Sequence, residues 1–572
     1  MLNRGRIRFV PFVALVVVLG LVAAACGDDG GDDASASSTT AGSASTVPAT
    51  TAAPKTGGQV TMGVYIEPSG LDPVVAQGGG TGGNHEMAAI YDTLMRIDPT
   101  TKAFVPQLAE SLTSNADGSE FTLKLRPNVK FSDGTDYDAE AVVFGIKRHT
   151  QYGSALAGLV SAIKEYAVVD KLTVKFTLTT PWPNFPYLLA HSPGMIPSPT
   201  AIKAACPDLT KAARECSFAQ KPVGAGPFVL DSYKPKEALI LKRNPTYWGG
   251  AAYLDSVKFV LLPGGQATYD GLNTNTLQVG FLREPQVIKT ANDDKKFDLY
   301  TLMQGFGGIA LLNNGQITCR AGLPAAVCAG KPDGIIDLGK PTGDKRIRQA
   351  IALALDPKQM DQRMNLGTGY PGFEFFIKGS KFDVGPMAET NVAKAKELVE
   401  TVKKEKNWDG SISVLCQAEQ ASGPAFVLAV STMLDAVGFK AKQDVKPSTE
   451  YVTGVQTTRN YDVACWGFNV SDESPEAALS RHVLSVAGGN SGGNAMNLNN
   501  SAIDAQILAV RAAKNDAEKK AAFEKILTIW KDEVPSIVFS NVPEVIASSK
   551  KVKGLKYNVA ASVMFDKAWV DS

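Results

Sequence analysis

The stretch DGSEFTLKLRPNVKFSDGTDYDAEAVVFGIKR (residues 117–148) decides the fold class of this chain. Apolar and polar residues alternate in FTLKL, which is typical of a half-buried β-strand, and the later Asp-Gly pair indicates a turn. Asp138 then stands at the N-cap position of a helix that carries Val142 and Ile146 at helical spacing. An edge strand, a turn and a capped helix are therefore predicted within one short segment.

The rest of the chain continues this mixture of strands and helices. Alternating residues predict strands in QVTMGVYI, IYDTLMRID and LTVKFTLTTP. Helices are predicted in GDKRIRQAIALALDP, with Asp344 as N-cap and Pro357 as the stop, in NVAKAKELVETVKKEKN after Asn391, and in DAEKKAAFEKILTIWKDEVP before Pro535. Because the two kinds of element mix without a fixed repeat period, the predicted class is α/β.

The N-terminus has the composition of a secretory signal. Three arginines in the first eight residues precede an uncharged apolar run, residues 9–25, which ends in three alanines. This run is slightly short for a membrane-spanning helix, which needs ~20 residues. Residues 1–25 are therefore predicted to be a signal peptide.

Cys26 directly follows these alanines, in a sequence that resembles a bacterial lipobox, with Ala23 where leucine is commoner. The resemblance implies that Cys26 carries diacylglycerol, and acyl chains stabilise membrane association by ~0.8 kcal/mol per buried CH₂. The alternative is an ordinary cleaved signal with a chance cysteine. After Cys26, the segment up to residue 56 is rich in Gly, Ser, Thr and Asp, so residues 26–56 are predicted to be a lipidated cysteine and a disordered tether.

The body, residues 57–572, is too long for one hydrophobic core, so two or three structural units are expected. The chain has 58 basic and 57 acidic residues in an interspersed order and a formal net charge of +1. This balance gives no indication of a nucleic-acid-binding surface. We expect no nucleic-acid partner and no cofactor.

Six cysteines remain when Cys26 is set aside, and an even number outside the cytoplasm favours disulfides. Two pairs would close short local loops, and one would join two strand-like runs. Six cysteines allow 15 connectivities, so other pairings stay open, as do free buried thiols or a metal site. The favoured pairs are Cys206 with Cys216, Cys319 with Cys328, and Cys416 with Cys465.

Several patterns that could indicate chemistry lack the context they require. GGGTGG (78–83) matches a dinucleotide-binding loop but does not directly follow a strand. GNSGG (489–493) matches a nucleophile elbow, but loop-like residues and no histidine follow it. The histidines are isolated from one another and from acidic clusters, which favours structural roles over metal binding. They are His85, His149, His191 and His482. We expect neither an enzyme nor a metal site.

Six blocks of sequence occur in an order that resembles one protein family. They are GLDP (70–73), IYDTLMRIDPTTKAFVPQLAESL (90–112), the stretch 117–148, GAGPFVLDSYKPKEALILKRNPTYWGG (224–250), RIRQAIALALD (346–356) and YDVACWGF (461–468). Together they resemble the family 5 extracellular solute-binding proteins, the peptide/nickel type that feeds ABC importers, over essentially the whole body.

This resemblance implies an α/β, two-lobed periplasmic-binding-protein-like fold with an extra domain inserted in the first lobe. A ligand is expected between the lobes, where closure about a hinge would trap it. The implied boundaries are 57–88, 222–305 and 535–572 for lobe I, 89–221 for the extra domain, and 306–534 for lobe II.

The resemblance also points to ligand-binding candidates. In peptide-binding members a Trp-x-x-Asp motif places a carboxylate on the α-ammonium of the ligand, and here Trp466 aligns while Asn469 replaces the aspartate. Because charge-assisted hydrogen bonds are roughly twice as strong as neutral ones, capture of an amine at Asn469 would be weaker. A ligand without a free amine is therefore open, and Asp472 or Glu473 could substitute in a rearranged loop.

Aromatic residues give further candidates for the cleft. Phe468 shares one face of a strand-like run with Trp466. Phe373 and Phe375 lie on a glycine-proline loop, where they would line an apolar pocket or form a satellite core cluster. Tyr65, Glu67 and Phe306 stand at predicted strand ends near the hinge and complete the candidate set.

We therefore expect an extracytoplasmic, lipid-anchored and monomeric binding protein. It would capture a peptide-like or other small organic ligand and deliver it to the permease and ATPase of an ABC importer. The alternative is a surface lipoprotein that acts as a sensor or adhesion module without transport. A third possible function, that of an extracellular hydrolase, is supported only by the motif GNSGG (489–493).

Overall fold

Two long antiparallel strands form the centre of the largest sheet in the computed structural model of the chain. The structure describes residues 53–75, 83–98, 100–262, 264–320, 323–418, 422–490 and 493–571. The predicted signal peptide, Cys26 and most of the predicted tether lie outside the described residues. Among the described helices, none combines the length and the apolar character that a membrane crossing requires.

The helices are short to medium in length and occur along the whole body. The α-helices are α1 Asn84–Tyr91, α2 Ala139–Gln151, α3 Ala157–Val160, α4 Pro186–Leu189, α5 Pro199–Ala205, α6 Gly265–Asn273, α7 Pro285–Asp294, α8 Lys345–Ala354, α9 Pro357–Asn365, α10 Val392–Lys406, α11 Ser422–Asp435, α12 Ser448–Gln456, α13 Pro475–His482, α14 Ser501–Ala512 and α15 Asp516–Glu533. Short 3₁₀ turns occupy Ser192–Gly194, Ala213–Glu215, Ser217–Ala219, Pro341–Gly343 and Val559–Ala561.

Strands alternate with these helices. They are β1 Gln59–Val64, β2 Met95–Ile97, β3 Phe104–Pro106, β4 Ala109–Ser114, β5 Glu120–Leu125, β6 Ile163–Asp170, β7 Thr173–Leu178, β8 Phe228–Lys234, β9 Ala238–Arg243, β10 Ser256–Leu261, β11 Val279–Leu282, β12 Phe297–Leu312, β13 Gln316–Thr318, β14 Ile335–Asp337, β15 Tyr370–Pro371, β16 Ser411–Gln417, β17 Lys440–Lys446, β18 Val463–Trp466, β19 Ser536–Ser549, β20 Val552–Lys553, β21 Lys556–Tyr557, β22 Val563–Met564 and β23 Trp569–Val570.

The largest sheet is mixed and is built around β12 and β19. Its strand order is β17-β16-β18-β12-β19-β11-β1-β10-β9-β8, and β15 also pairs with β19. β1 runs parallel to β10 and β11, and β16 runs parallel to β17 and β18, whereas β12 and β19 are antiparallel to their neighbours. The two long strands therefore connect a half of the sheet containing β16–β18 to a half containing β1 and β8–β11.

The pairing of β12 with β19 is interrupted between Gln304 and Gly308, where the register shifts. Phe306, inside this bulge, has a φ of 51°, a left-handed conformation that is uncommon for a bulky residue. A Cβ atom at Gly307 would lie 2.6 Å from Val542, so glycine allows the two strands to approach closely here. The bulge lies where the two halves of the sheet meet.

The opening stretch of sequence forms β5, an Asp-Gly turn and α2. The Asp138 side chain accepts a hydrogen bond from the Ala141 N–H at 2.9 Å, which confirms the predicted N-cap. Gly134 has a φ of 83° in the turn. The prediction of an edge strand is wrong, because β4 and β7 pair with opposite sides of β5 in a four-stranded antiparallel sheet of order β4-β5-β7-β6.

The predicted caps of two later helices are also confirmed. Asp344 accepts the Arg346 N–H at 2.9 Å at the start of α8, and Asn391 accepts the Lys394 N–H at 3.1 Å at the start of α10. Helix α8 ends at Ala354, before Pro357. Pro357 is itself the first residue of α9, where proline is well suited because the N–H that proline lacks has no partner in the first turn of a helix.

Three large groups of buried apolar side chains form the core of the described residues. One surrounds the β16–β18 half of the sheet and α15, one lies under the four-stranded sheet and α2, and one surrounds β1 and β8–β11. Three disulfides join the pairs of cysteines that the sequence favours, with Cα–Cα distances of 5.3, 5.7 and 5.3 Å. They are Cys206–Cys216, Cys319–Cys328 and Cys416–Cys465.

Candidate functional site

A cavity of about 210 Å³ lies beside the bulge of β12. Its wall is formed by β12, the last residue of β18 and the residues that follow it, helix α13, residues of the segment that contains α3 and α4, and Ala560 near the C-terminus. Small-molecule pockets commonly have volumes of ~300–1,000 Å³, so in this conformation the cavity admits a small solute or one part of a larger solute.

Backbone pairing places the residues after β18 in this wall. Gly305 and Val470 exchange two N–H···O hydrogen bonds of 2.9 Å, so the chain after β18 stays against the bulged strand. Asn469 has a φ of 55°, which asparagine adopts more readily than most residues. Three of the predicted ligand-binding candidates, Trp466, Phe468 and Asn469, consequently line the cavity.

Three polar atoms of wall residues have no hydrogen-bond partner within the described part of the chain. They are Oε1 of Gln304, Nε1 of Trp466 and Oδ1 of Asn469. The great majority of buried polar atoms in proteins are hydrogen-bonded, and an unpaired one costs about 1–3 kcal/mol. In this conformation two acceptors and one donor of the wall residues are therefore left without partners among the described residues.

Helix α13 brings a cation and a neutral imidazole to the wall. The His482 ring stacks on Phe468 with a centroid distance of 4.9 Å. Burial lowers the pKa of His482 well below its usual value, so this ring is uncharged near neutral pH. Arg481 also lines the cavity, and although burial lowers its pKa, arginine stays protonated in proteins.

The segment that contains α4 contributes Tyr187 and His191. Their rings lie 5.9 Å apart, and Nδ1 of His191 accepts the Ser192 N–H at 2.8 Å. Burial lowers the pKa of His191 to about 4 and raises the pKa of Tyr187. Both side chains are therefore neutral near pH 7.

Two acids beside the cavity differ in their contacts. Asp472, a predicted candidate, accepts hydrogen bonds from Oγ of Ser380 at 2.7 and 2.8 Å, which anchor its carboxylate away from the wall. Oε2 of the next residue, Glu473, has no partner among the described residues. Burial raises the pKa of Glu473 to about 7.

Three predicted phenylalanines lie in the hydrophobic core and do not line the cavity: Phe306, Phe373 and Phe375. The rings of Phe306 and Phe375 are 4.7 Å apart, and each contacts Trp530 of α15 edge-on, at 5.6 and 5.1 Å. The loop folds inward because these aromatic partners offer the phenylalanines a buried apolar site.

Tyr65 and Glu67 make their contacts outside the cavity wall. The Tyr65 ring lies 5.9 Å from the guanidinium of Arg283. The Glu67 carboxylate accepts the backbone N–H of Lys236 at 2.7 Å. Neither residue is part of the cavity as described.

The glycine-rich motifs lie partly outside the described residues. Residues 78–82 of GGGTGG and residues 491–492 of GNSGG are among them, including the serine of the second motif. Within the described residues, no group of three or more His, Cys, Asp or Glu side chains is arranged to hold a metal ion.

Sequence reasoning missed several wall residues: Gln304, Tyr187, His191, Arg481 and His482. The sequence favours structural roles for His191 and His482, because these histidines are isolated along the chain. Arg481 and His482 are the last two residues of α13, the short helix that follows the segment containing Trp466. Their closeness to Trp466 in the sequence is the one local indication that they belong to the wall. Gln304 and Tyr187 had none, since the fold alone brings them to the cavity.

The chain matches the family model described as "Bacterial extracellular solute-binding proteins, family 5 Middle" over residues 103–490, which is more than half of its length. The chain belongs to this family. The resemblance inferred from six sequence blocks is thereby confirmed.

Individual relatives match over a shorter region. The glutathione-binding protein GsiB of Shigella flexneri is 34% identical over 196 residues, which cover 34% of this chain and 36% of that protein. The probable D,D-dipeptide-binding periplasmic protein DdpA of Escherichia coli K12 is 31% identical over 208 residues, or 35% and 38% of the two chains. The chain thus matches little more than a third of the length of these relatives.

A solved structure matches almost the whole chain. The dipeptide-binding protein from Pseudoalteromonas sp. SM9913, in complex with Met-Leu, superimposes with a TM-score of 0.72 and 18% identity. The match covers 90% of this chain and all of that chain. It confirms the predicted α/β, two-lobed fold of the family 5 binding proteins.

Proposed function

We propose that this member of family 5 is the solute-binding component of an ABC importer, and that it captures a peptide-like or other small organic solute. The observation that carries the proposal is the cavity wall with three unpaired polar atoms, on Gln304, Trp466 and Asn469. Atoms that are costly to bury without partners are explained if a solute supplies those partners. The names of GsiB and DdpA, which refer to glutathione and a D,D-dipeptide, support a peptide-like solute.

Capture would occur by closure of two lobes about the bulge in β12. We assign 57–88, 222–305 and 535–572 to lobe I, 89–221 to its inserted domain and 306–534 to lobe II. The register break between Gln304 and Gly308 supports a hinge at the boundary between residues 305 and 306. Glycines on both sides of Phe306 would allow the backbone to change its angles there.

The protein would act outside the cytoplasm, as a monomer tethered by a lipid on Cys26. Residues 1–25 would direct export, and residues 26–56 would let the body reach the permease. A permease and its ATPase are the expected partners. The lipobox-like sequence and the composition of the tether support this arrangement.

Native mass spectrometry of the mature protein, purified without unfolding, tests the proposal. We expect a small molecule of defined mass that stays bound and is lost after unfolding and refolding. The released compound should then change the tryptophan fluorescence of the wild type on titration. The change should decrease in Trp466→Phe and persist in Trp408→Phe, because Trp408 packs on Phe439 at 5.9 Å outside the cavity.

Failure would also be clear. If no small molecule is retained, and no member of a collection of di- to pentapeptides and other small organic solutes raises the melting temperature, this chain does not act as a solute-binding protein of the proposed kind.

A further inference from the structure

Helix α11 exposes a face that carries no charge until its last residue, Asp435. The exposed residues before Asp435 are Ser422, Pro424, Leu428 and Thr432. The last three are four positions apart, so they form one stripe along the helix. A helix face in contact with water normally carries charged residues, so this stripe differs from an ordinary solvated surface.

Helix α9 packs beside α11 and adds positive charge. Its exposed residues are Lys358, Gln359, Gln362 and Arg363, which are two cations and two amides without an acid. Within the described residues, no ion pair includes the ammonium of Lys358 or the guanidinium of Arg363. The exposed side of α9 is therefore basic, and its two charges are uncompensated.

The groove between the two helices is open and largely apolar. Its volume is about 410 Å³, and its lining residues are Arg363, Ala425, Leu428 and Thr432. Leu428 is 54% exposed. Protein interfaces draw much of their binding energy from large side chains seated in closed pockets, whereas this groove is open.

Leu366 follows α9, three residues after Arg363. It is 71% exposed, the largest exposed fraction of any large apolar side chain among the described residues. Its φ of 54° is left-handed, a conformation in which helices usually end on glycine or asparagine. A leucine here strains the backbone, and its side chain adds little to the core. Such an outlier points to a role at the surface.

Exposed leucines beside uncompensated cations suit the surface of an anionic lipid bilayer. Apolar side chains enter the boundary between headgroups and acyl chains, and basic side chains stay with the anionic headgroups. Tyr370, exposed four residues after Leu366, has the amphipathic side chain that is favoured at this level of a membrane. The surface therefore complements lipid in both its apolar and its charged residues.

The sequence before the body supplies a reason why weak binding would suffice. Residues 27–56 have the composition of a flexible tether, which would span about 30 Å on average and about 100 Å when fully extended. A folded body of this length has a radius of gyration of about 24 Å, so the tether would leave its orientation open. Tethering gives an effective concentration in the millimolar range, where a dissociation constant of about 1 mM allows frequent contact.

We propose that the α9–α11 surface, formed by Lys358, Arg363, Leu366, Tyr370 and Leu428, rests on an anionic phospholipid bilayer. The contact turns one face of the body towards the membrane. This inference goes beyond the proposed function and uses its lipid tether for one step only, the high local concentration.

Sedimentation with phospholipid vesicles tests the surface in the mature chain without its acylated cysteine, residues 27–572. With equal parts of phosphatidylglycerol and phosphatidylcholine, at about 5 mM lipid and low salt, we expect a dissociation constant of about 1 mM. Pure phosphatidylcholine should bind at least about tenfold more weakly, because each basic residue near an anionic surface strengthens binding about fivefold. Added salt should weaken the binding to anionic vesicles by screening.

Substitutions at the surface should reduce vesicle binding without unfolding the protein. Leu366→Ser and Leu428→Ser should each weaken it about fivefold, as should Arg363→Gln. Thermal unfolding should confirm that the variants are folded, since all three side chains are exposed. Val169→Ser is the apolar control, because Val169 is 61% exposed on β6 of the four-stranded sheet, and the neighbouring Lys171→Gln is the charge control. Neither control should change the binding.

A wild type that does not sediment with anionic vesicles would overturn the proposal, as would binding that all three substitutions leave unchanged. Loss of solute uptake by cells carrying the three variants, without any vesicle binding, would overturn the lipid assignment in favour of a protein partner at this surface. A protein that retains a solute but binds no vesicles contradicts the membrane surface alone. One that binds vesicles through this surface but retains no solute supports the surface and contradicts the proposed function.

Discussion

Trp182 donates its indole N–H to Oε1 of Glu476 at 3.2 Å, although the two residues are 294 positions apart in the chain. Nδ2 of Asn184 donates to the same oxygen at 2.7 Å, and Nζ of Lys519 lies 3.4 Å from Oε2. Glu476 is fully buried in the first turn of α13. One carboxylate thus joins the segment between β7 and α4 to α13 and α15 next to the cavity.

We expect Glu476→Ala to lower the free energy of unfolding by about 3 kcal/mol, because it leaves Lys519 and three other donors, Trp182, Asn184 and the Ser474 hydroxyl, without their acceptor. Urea unfolding measures this loss. If the contact also holds the two lobes together, small-angle scattering of the unliganded variant should give a larger radius of gyration. Glu476→Gln keeps an acceptor oxygen and should lose less stability. An alanine variant with unchanged stability and radius of gyration would show that neither the stability of the fold nor the arrangement of the lobes depends on this contact.

A second buried ion pair ties the GLDP block to α2. The guanidinium of Arg148 donates to both oxygens of Asp72, at 2.9 and 2.6 Å, and both side chains are almost inaccessible. Arg148→Met should cost about 3–5 kcal/mol, because it leaves a buried carboxylate without its counter-charge. Urea unfolding of Arg148→Met, Asp72→Asn and the double variant checks this. The double variant should be less destabilised than the sum of the two single variants, and simple additivity would show that the pair is not coupled.

Glu86 should make the protein less stable at alkaline pH. It is buried in α1, and within the described residues neither carboxyl oxygen has a hydrogen-bond partner. Burial raises the pKa of Glu86 from 4.5 to about 7. Because the folded state favours the protonated form, stability falls as the pH rises from about 4.5 through 7, by about 3 kcal/mol in total.

Glu86→Gln removes this titration. Its melting temperature should exceed that of the wild type at pH 8, and this advantage should shrink towards pH 5. Glu120→Gln, at an exposed carboxylate, should show no such trend. A wild-type stability that stays constant between pH 5 and 8 would contradict the assignment.

Local sequence patterns predicted the parts of the fold that depend on neighbouring residues. Asp138, Asp344 and Asn391 cap helices as predicted, because a cap needs only the side chain and the next few N–H groups. The position of β5 was predicted wrongly, because an edge or central place depends on strands elsewhere in the chain.

The cavity could be predicted only in part for the same reason. Trp466 and Asn469 were found because they lie on one short segment that the family motif marks. Gln304 and His482 come together only when β12, β18 and α13 are assembled. Phe375 had the composition of a pocket residue, but its place in the core depends on Trp530, which is distant in the sequence.

The proposed lipid anchor is tested by Cys26→Ser. Without the thiol no diacylglycerol can be attached, so the variant should appear in the soluble fraction or accumulate with its signal uncleaved. Membrane fractionation and the intact mass of the protein measure both outcomes. Unchanged membrane retention of a normally cleaved variant would contradict the anchor.

The disulfide between Cys416 and Cys465 links β16 to β18 immediately before Trp466, and its cysteines are 49 positions apart. Chain-entropy arguments give a stabilisation of about 4 kcal/mol for a loop of this length. The double variant Cys416→Ala/Cys465→Ala should lose about that much in urea unfolding, and it should bind the co-purified solute more weakly because the wall segment loses its support.

The Cys206–Cys216 disulfide provides the matched control, because its cysteines are only 10 positions apart and it lies away from the cavity wall. Its removal should cost about 3 kcal/mol on the same entropic argument and leave the affinity unchanged. Equal effects of the two double variants on affinity would show that the Cys416–Cys465 link stabilises the fold in general and has no special influence on Trp466.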